Sequence, residues 1–359
     1  YAQHPYLQAQ IEGFKVEVIP CFKTAPHQDI KSAVDRSPLH MDYLQKRLNS
    51  HQKRDVRLLK KLLKVAGVYG AEVDVGGFSG IVCEYLILNY RSLLGLLVAA
   101  SSWKPQVIVD IEAHRTGDDL TKEFSSPLIL VDAIDKRRNA AASVSLSSFS
   151  KFIALAKSFL ENPSKKFFEN PKDEKLDKHS LQKKLSQRDT FLLGISFAKP
   201  RDVVSDILVP QLRKTMHSIK ANCRMLGYPI IDCQEFVGEN SCLLLFEFHS
   251  KHKHLMQKII GPPAWQWTSV KKFVAAHKDD SIRGPYIEDD RVVVETICSN
   301  RDVSAAITEM IGSKNSVSIG SRFEKELSKA KLLENQQLLD GRNNEFLQNY
   351  LTRKESFWK

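Results

Sequence analysis

Apolar and polar residues alternate through residues 14–22, Phe-Lys-Val-Glu-Val-Ile-Pro-Cys-Phe, until Pro20 ends the run. That period of two predicts a half-buried strand, with Glu17 on the face opposite Val16 and Val18. The period changes over residues 55–66. There Val56, Leu59, Leu62, Leu63 and Ala66 recur at helical spacing, while Lys53, Arg57, Lys60, Lys61 and Lys64 fill the other side. The pattern is that of an amphipathic helix with a basic outer face. Gly67 stops it, Gly70, Gly76, Gly77 and Gly80 punctuate the next stretch, and a buried helix is expected over residues 81–99. Short strands are expected at 107–111 and 128–131, then a helix over 145–160 ended by Asn162-Pro163.

A lysine-rich polar stretch, residues 165–188, is the main boundary candidate. Beyond it a strand at 191–197, a helix at 210–226 stopped by Gly227 and a strand at 242–248 give a β-α-β order. Gly261-Pro262-Pro263 reads as a chain break, 291–296 as a strand, and the residues from 321 onward as mostly polar helix. No internal repeat is visible. The predicted class is α+β, with more than one domain.

Composition narrows the picture without overturning it. At 359 residues the chain is two to three times the usual single-domain size, and 42% hydrophobic with 26% charged residues is a globular balance. Disorder along the whole chain is thereby excluded. An excess of 11 positive charges suits a polyanionic partner. The longest apolar run, residues 81–90, is interrupted by Glu84 and Asn89, so no membrane span and no membrane partner are expected. The six cysteines are scattered, with no C-x-x-C pair, which points to a reduced, cytoplasmic setting. The sequence opens at Tyr1 directly into strand-like residues, without an initiator Met or a signal peptide, and residues upstream of it are expected.

The common catalytic signatures are missing: no G-x-x-x-x-G-K-[ST], no G-x-G-x-x-G after a strand, no H-E-x-x-H, no G-x-S-x-G. His249, His252 and His254 alternate with Lys251 and Lys253 at a strand exit and read as a solvated polar run. Glu72/Asp74 and Asp110/Glu112 each place two carboxylates on one strand face, the arrangement a two-metal site needs, at a spacing common by chance.

One stretch rises above this background. Ile30-Lys31-Ser32-Ala33-Val34-Asp35-Arg36-Ser37-Pro38-Leu39-His40 precedes the basic helix, which is followed by Tyr69-Gly70-Ala71-Glu72, Gly77-Phe78-Ser79-Gly80 and Asp132-Ala133-Ile134-Asp135-Lys136-Arg137-Arg138-Asn139. In order and spacing, across nearly the first 150 residues, this resembles the archaeal, class I CCA-adding tRNA nucleotidyltransferases. The rest matches more weakly, through Phe197-Ala198-Lys199-Pro200, Tyr228-Pro229 and Gly320-Ser321.

The resemblance implies template-independent, Mg²⁺-dependent addition of C, C and A to the tRNA 3′ end from CTP and ATP, with release of pyrophosphate. It implies that Lys60 and Tyr69 contact the triphosphate. Ser37 stands near the nucleotide where the family usually has Thr, with His40 in the same loop. Arg138 reads the incoming base together with tRNA backbone, a task that suits a planar fork better than a point charge. Glu17 takes the position of the third catalytic, metal-binding carboxylate, usually Asp. The family's first carboxylates, in a Gly-Ser and Asp-x-Asp segment, lie upstream of Tyr1, so these residues alone are expected to hold an incomplete metal site and to be inactive. The implied partition is the end of a catalytic head over 1–36, a neck with the nucleotide pocket over 37–164, and a body and tail over 165–359. Body and tail bind the acceptor stem, and a homodimer is a further expectation.

Each residue also has a plainer reading: Glu17 as a solvent-facing strand residue, Lys60 as one of several solvated lysines, Asn139 as the cap of a helix beginning near Ala140. Two other functions fit the same sequence, a poly(A)-polymerase-like tailing enzyme and a non-catalytic binder of tRNA or other structured RNA.

Overall fold

A computed structural model describes residues 7–22, 33–115, 117–170, 176–201, 203–253, 256–297, 302–313, 317–339 and 343–358. Tyr1, Ile30 to Ser32 and His254, named above from the sequence, fall outside these residues. The chain divides into two units. The first comprises residues 1–174, with 204–206 and 354–359, and the second comprises 175–203 and 207–353.

The first unit opens with an antiparallel hairpin, β1 (Leu7–Ile11) and β2 (Phe14–Val18), in which Glu17 lies opposite Gln8. The strand is where the alternation put it, but it is not half-buried: Leu7 is 75% and Phe14 74% exposed. Among the described residues no further layer covers the hairpin. Then come α1 (Arg36–Arg47) and α2 (Ser50–Val65). Asn49 and Gln52 form a reciprocal capping box that starts α2, and its apolar stripe, Val56, Leu59, Leu62 and Leu63, is buried. At ~1.5–3 kcal/mol for each fully buried aliphatic side chain, this stripe rather than helix propensity holds the lysine-rich segment helical.

The helix expected over 81–99 is two, α3 (Gly80–Tyr90) and α4 (Leu93–Ala100), bent by 91°. Hydropathy is continuous through the break, so only its local chemistry marks it. Arg91 adopts a left-handed backbone (φ 71°), the Ser92 side chain caps α4 by accepting from Gly95 N, and Asp55 accepts from Leu93 N at 2.8 Å. No single described helix is long and apolar enough to cross a membrane, and this bent pair is largely buried in the core.

β3 (Val107–Val109) and β4 (Leu128–Leu130) pair in parallel across a connection that contains α5 (Gly117–Glu123), and α6 (Leu146–Glu161) closes the core. No helix starts at Ala140. Ser145 caps α6 instead, and Asn139 does a different job. Its side chain is buried and makes three bonds: Oδ1 accepts from Leu130 N and Ala141 N, and Nδ2 donates to Leu128 O. Two later segments return to this core. Phe167, in a 3₁₀ turn at Lys165–Phe168, is buried there, and so is Phe357, whose carbonyl accepts from Ser158 Oγ at 2.8 Å.

The second unit starts with α7 (Lys178–Gln187), within the lysine-rich stretch named as the boundary candidate; its Leu181 and Leu185 are buried. Around α8 (Ser205–Met225), β5 (Phe191–Ala198), β6 (Ile230–Val237), β7 (Ser241–Phe248) and β11 (Lys331–Glu334) form an antiparallel sheet of order β11-β5-β7-β6. The expected strand, helix and strand are all present; β6 intervenes before β7, and neighbouring strands run antiparallel. Along β7, Cys242, Leu244, Phe246 and Phe248 meet one core with α8 and α10 (Val303–Gly312), while Leu243 and Leu245 meet another with α7 and α12 (Asn344–Leu351). Both faces are covered, which is why β7 reads as one unbroken apolar run.

Glu247 is the exception on that strand. It is fully buried, and it accepts from Arg188 through two nitrogens, from Thr190 Oγ1 and from Tyr350 Oη. The residues after 321 hold α11 (Glu324–Leu327) and the edge strand β11 as well as α12, not mainly helix. Gly261-Pro262-Pro263 does not break the chain. It ends β8 (Met256–Pro263), an edge strand of a sheet of order β8-β10-β9 with β9 (Ser281–Glu288) and β10 (Arg291–Ile297), beside α9 (Trp267–Ala276). Proline is tolerated there because an edge strand has ladder positions whose N–H faces no partner.

Candidate nucleotide site

In the first unit a cleft of about 410 Å³ opens between α1, α2 and α3, lined by Ser37, His40, Arg57, Lys60 and Glu84 among others. Three of the residues implied by the resemblance, Ser37, His40 and Lys60, thus meet in one cavity. Tyr69 adjoins them: a methyl group placed on Gly80 would lie 3.5 Å from Lys60 Nζ and 3.6 Å from Tyr69 Oη. Gly80 opens α3, whose preceding Ser79 keeps a buried hydroxyl without a hydrogen-bond partner. Lysine, tyrosine and the start of a helix together make a neighbourhood suited to an anion.

Lys60 is not a freely solvated lysine. Its Nζ donates to Glu84 Oε1 at 2.8 Å and both side chains are about a quarter exposed. Burial acts to lower its pKa, but the hydrogen bond and charge of Glu84 outweigh it, so the ammonium is held above its ordinary range. Burial raises Tyr69, with the Lys60 charge opposing, so the phenol keeps its proton and stays a donor. Among the described residues Arg57 has no ion-pair partner, which leaves a second cation facing the cleft.

Behind the cleft stands a residue that the sequence placed in a motif but gave no role. Asp132, just past β4, is completely buried. Its Oδ1 accepts from His40 Nε2 at 2.8 Å, Tyr85 Oη at 3.1 Å and Ile134 N at 3.0 Å, and its Oδ2 accepts from Arg138 Nη1 at 2.6 Å. The carboxylate therefore ties Arg138 to His40. Burial acts against its charge, but His40, the Ile134 amide and Arg138 overrule it and hold the carboxyl well below the usual range. The same face of α1 makes two further carboxylate contacts, Arg36 with Asp135 at 3.2 Å and Tyr43 with Glu112. The spacing of Arg36, His40 and Tyr43 is that of one helix face. The available signal was a carboxylate directly after an apolar strand, six residues before Arg138.

Acid should expose this arrangement. The folded Asp132 carboxyl lies below its unfolded value of about 3.9. Its contribution to stability is complete above that value and is lost as pH falls toward the folded one. Urea midpoints of the wild-type chain and of Asp132→Asn should converge between about pH 5 and pH 2, with the wild type falling faster; parallel curves would contradict the assignment.

Glu17 does not line the cleft. It is exposed on β2, and the hairpin's exit is anchored by Phe22 N donating to Asp35 Oδ1 at 2.8 Å, just before α1. The two carboxylate pairs are not on strands either. Glu72 and Asp74 lie in a turn whose Glu72 side chain folds over Gly70, Asp110 accepts from Arg115 N, and Glu112 pairs with Tyr43 and Arg47. Among the described residues, no three His, Cys, Asp or Glu side chains converge as metal ligands. Glu17 by itself does not supply the coordination Mg²⁺ requires, so the residues described do not fit a complete Mg²⁺ site.

Comparison with known proteins identifies the family. Residues 54–169 match the family model described as tRNA nucleotidyltransferase, second domain, and residues 188–335 match the CCA-adding enzyme, C-terminal domain. The CCA-adding enzyme of Methanoregula boonei is 36% identical over 295 residues, 82% of this chain and 63% of that one. That of Methanothermobacter thermautotrophicus is 33% identical over 328 residues, 91% of this chain and 70% of that one. The Methanosarcina barkeri enzyme is 36% identical over 298 residues, covering 83% and 64%. The chain thus spans roughly two thirds of the length of these relatives. With both family models matched in order and identity sustained across nearly all of its residues, the chain belongs to the CCA-adding enzyme family.

Proposed function

We propose that this chain provides the nucleotide pocket and the RNA-binding modules of a CCA tRNA nucleotidyltransferase, adding C, C and A to the tRNA 3′ end from CTP and ATP. The observation that carries the reading is the convergence of Ser37, His40, Lys60 and Tyr69 at one cleft, with Arg138 tied to its wall through Asp132. Phosphoryl transfer asks mainly for positioned charge around a triphosphate. Lys60 and Tyr69 supply a cation and a neutral donor for the phosphate oxygens, and Ser37 a hydroxyl at the cleft mouth. Arg138, about one third exposed, keeps guanidinium nitrogens beyond the one given to Asp132 for a base edge and an RNA phosphate. In this reading the hairpin belongs to the head and Glu17 is one of its carboxylates, residues 37–164 form the neck, and the body and tail over 165–359 hold the acceptor arm.

The test joins residues 1–359 to the portion of a CCA-adding relative that they do not cover. The product is supplied with Mg²⁺, CTP, ATP and tRNA lacking its 3′ CCA. Sequenced products should end in CCA in that order; runs of A alone would replace the reading with a tailing enzyme, and no extension would reject it. The 359-residue chain should also bind tRNA with an affinity that falls as salt rises, because its excess positive charge displaces counterions from the phosphates.

A further inference from the structure

Resting on that functional reading, we propose that Asp132 is a positioning residue for nucleotide selection: its buried carboxylate fixes Arg138 and His40 relative to each other, so that the base-reading arginine and the cleft wall move as one piece. One carboxylate with no solvent contact takes four donors, from α1 (His40), α3 (Tyr85), its own turn (Ile134 N) and the far end of that turn (Arg138). Arg138 is the flexible member. Its side chain is about one third exposed, and it is held by the 2.6 Å bond to Asp132.

A guanidinium reads a base only if its plane is set before the base arrives; otherwise the cost of freezing its rotamers is subtracted from binding. Asp132 restrains that plane through one nitrogen and leaves the others uncommitted to it. It also connects the plane to α1. His40 donates to the same carboxylate, with contacts at 2.8 and 3.1 Å to its two oxygens, and His40 lines the cleft. A second tie keeps the turn in register with the helix: Arg36 Nε and Nη2 reach Asp135 Oδ2 at 3.3 and 3.2 Å. The turn is thus docked on α1 twice. Only the Asp132 tie includes the base-reading arginine.

The test is calorimetric titration of the 359-residue chain with CTP and with ATP, in the presence of tRNA lacking its 3′ CCA. It compares wild type, Asp132→Asn, Arg138→Ala, the double variant, and Tyr85→Phe. Loss of the charge-assisted contact should weaken both nucleotides about tenfold in Asp132→Asn and change the ratio of their affinities. The double variant should bind no more weakly than Asp132→Asn alone, because an arginine no longer oriented has little left to lose. Tyr85→Phe, which removes one donor but leaves Arg138 and His40 in place, should bind as wild type does. A merely structural role would lower the fraction of competent protein while leaving the dissociation constants unmoved, and that result overturns the proposal. Losses that multiply in the double variant overturn it as well.

Should Asp132→Asn fail to fold by circular dichroism, Asp132→Glu decides. It keeps the charge but displaces it by a methylene and should also weaken binding, and wild-type affinity there rejects the proposal. Wild-type chain that binds neither nucleotide rejects the functional reading, and the proposal with it. Binding that depends on Arg138 but not on Asp132 rejects the proposal alone.

Discussion

Lys60→Ala should reduce the rate of addition of C and of A alike, by about 10- to 100-fold in kcat/KM, the equivalent of a lost charge-assisted contact worth roughly 1.5–3 kcal/mol. Equality between the two nucleotides is the informative part. A triphosphate contact is blind to the base, whereas a residue that reads the base must separate C from A. The fold should survive the change, because Glu84, a quarter exposed, can turn its carboxylate to water once its partner is gone. Lys61→Ala, one residue along on the exposed face of α2, serves as the control and should leave both rates unchanged. Single-nucleotide addition by the joined enzyme, measured with CTP and ATP separately, decides the matter. A loss confined to one nucleotide would move Lys60 from the phosphates to the base.

The second large effect is on stability. Asn139→Ala removes three buried hydrogen bonds at once and leaves Leu130 N, Ala141 N and Leu128 O without their partner. An unpartnered buried backbone group costs ~1–3 kcal/mol. A loss of about 3 kcal/mol or more is expected, and for a unit of this size that is a fall in Tm of roughly 6–12 °C. Asn139→Asp retains an acceptor for the two amides but cannot donate to Leu128 O, and it buries a charge, so it should be only a partial rescue. Calorimetric melting of the chain would register both; a shift within about 2 °C for Asn139→Ala would show that the turn does not depend on this clamp.

How much of this could be read from the residues divides along physical lines. α2 and α6 were legible because one face of each is apolar at helical spacing and the opposite face carries charge or hydroxyls. The helix expected over 81–99 ran too long because hydropathy has no sensitivity to a left-handed Arg91 followed by a capping Ser92. β6 was missed because Asp232, Gln234 and Glu235 interrupt its apolar positions. β11 lies in a polar neighbourhood and is held as a strand by pairing with β5. At the candidate site, Ser37, His40, Lys60, Tyr69 and Arg138 were singled out through the order of family motifs. Taken one at a time, each had an ordinary structural explanation. The role of Asp132, quoted only as the start of a motif, was missed because what sets it apart is burial among donors from three separate elements, a property of the folded chain. The carboxylate pairs failed for the converse reason: a spacing of two residues signifies a shared face only within a strand, and both pairs lie in turns.

The return of residues 354–359 to the first unit bears on how the protein is made. Phe357 is 2% exposed within a core whose other buried members precede residue 170, and Ser356 Oγ reaches back to Val65 O. A chain emerging from the ribosome amino end first would ordinarily complete an early unit before the next one appears. Here the early unit must wait with one aromatic position unfilled while the whole second unit is synthesised. Vectorial order and structural order therefore part company: the first unit, begun before the second, is sealed only after it.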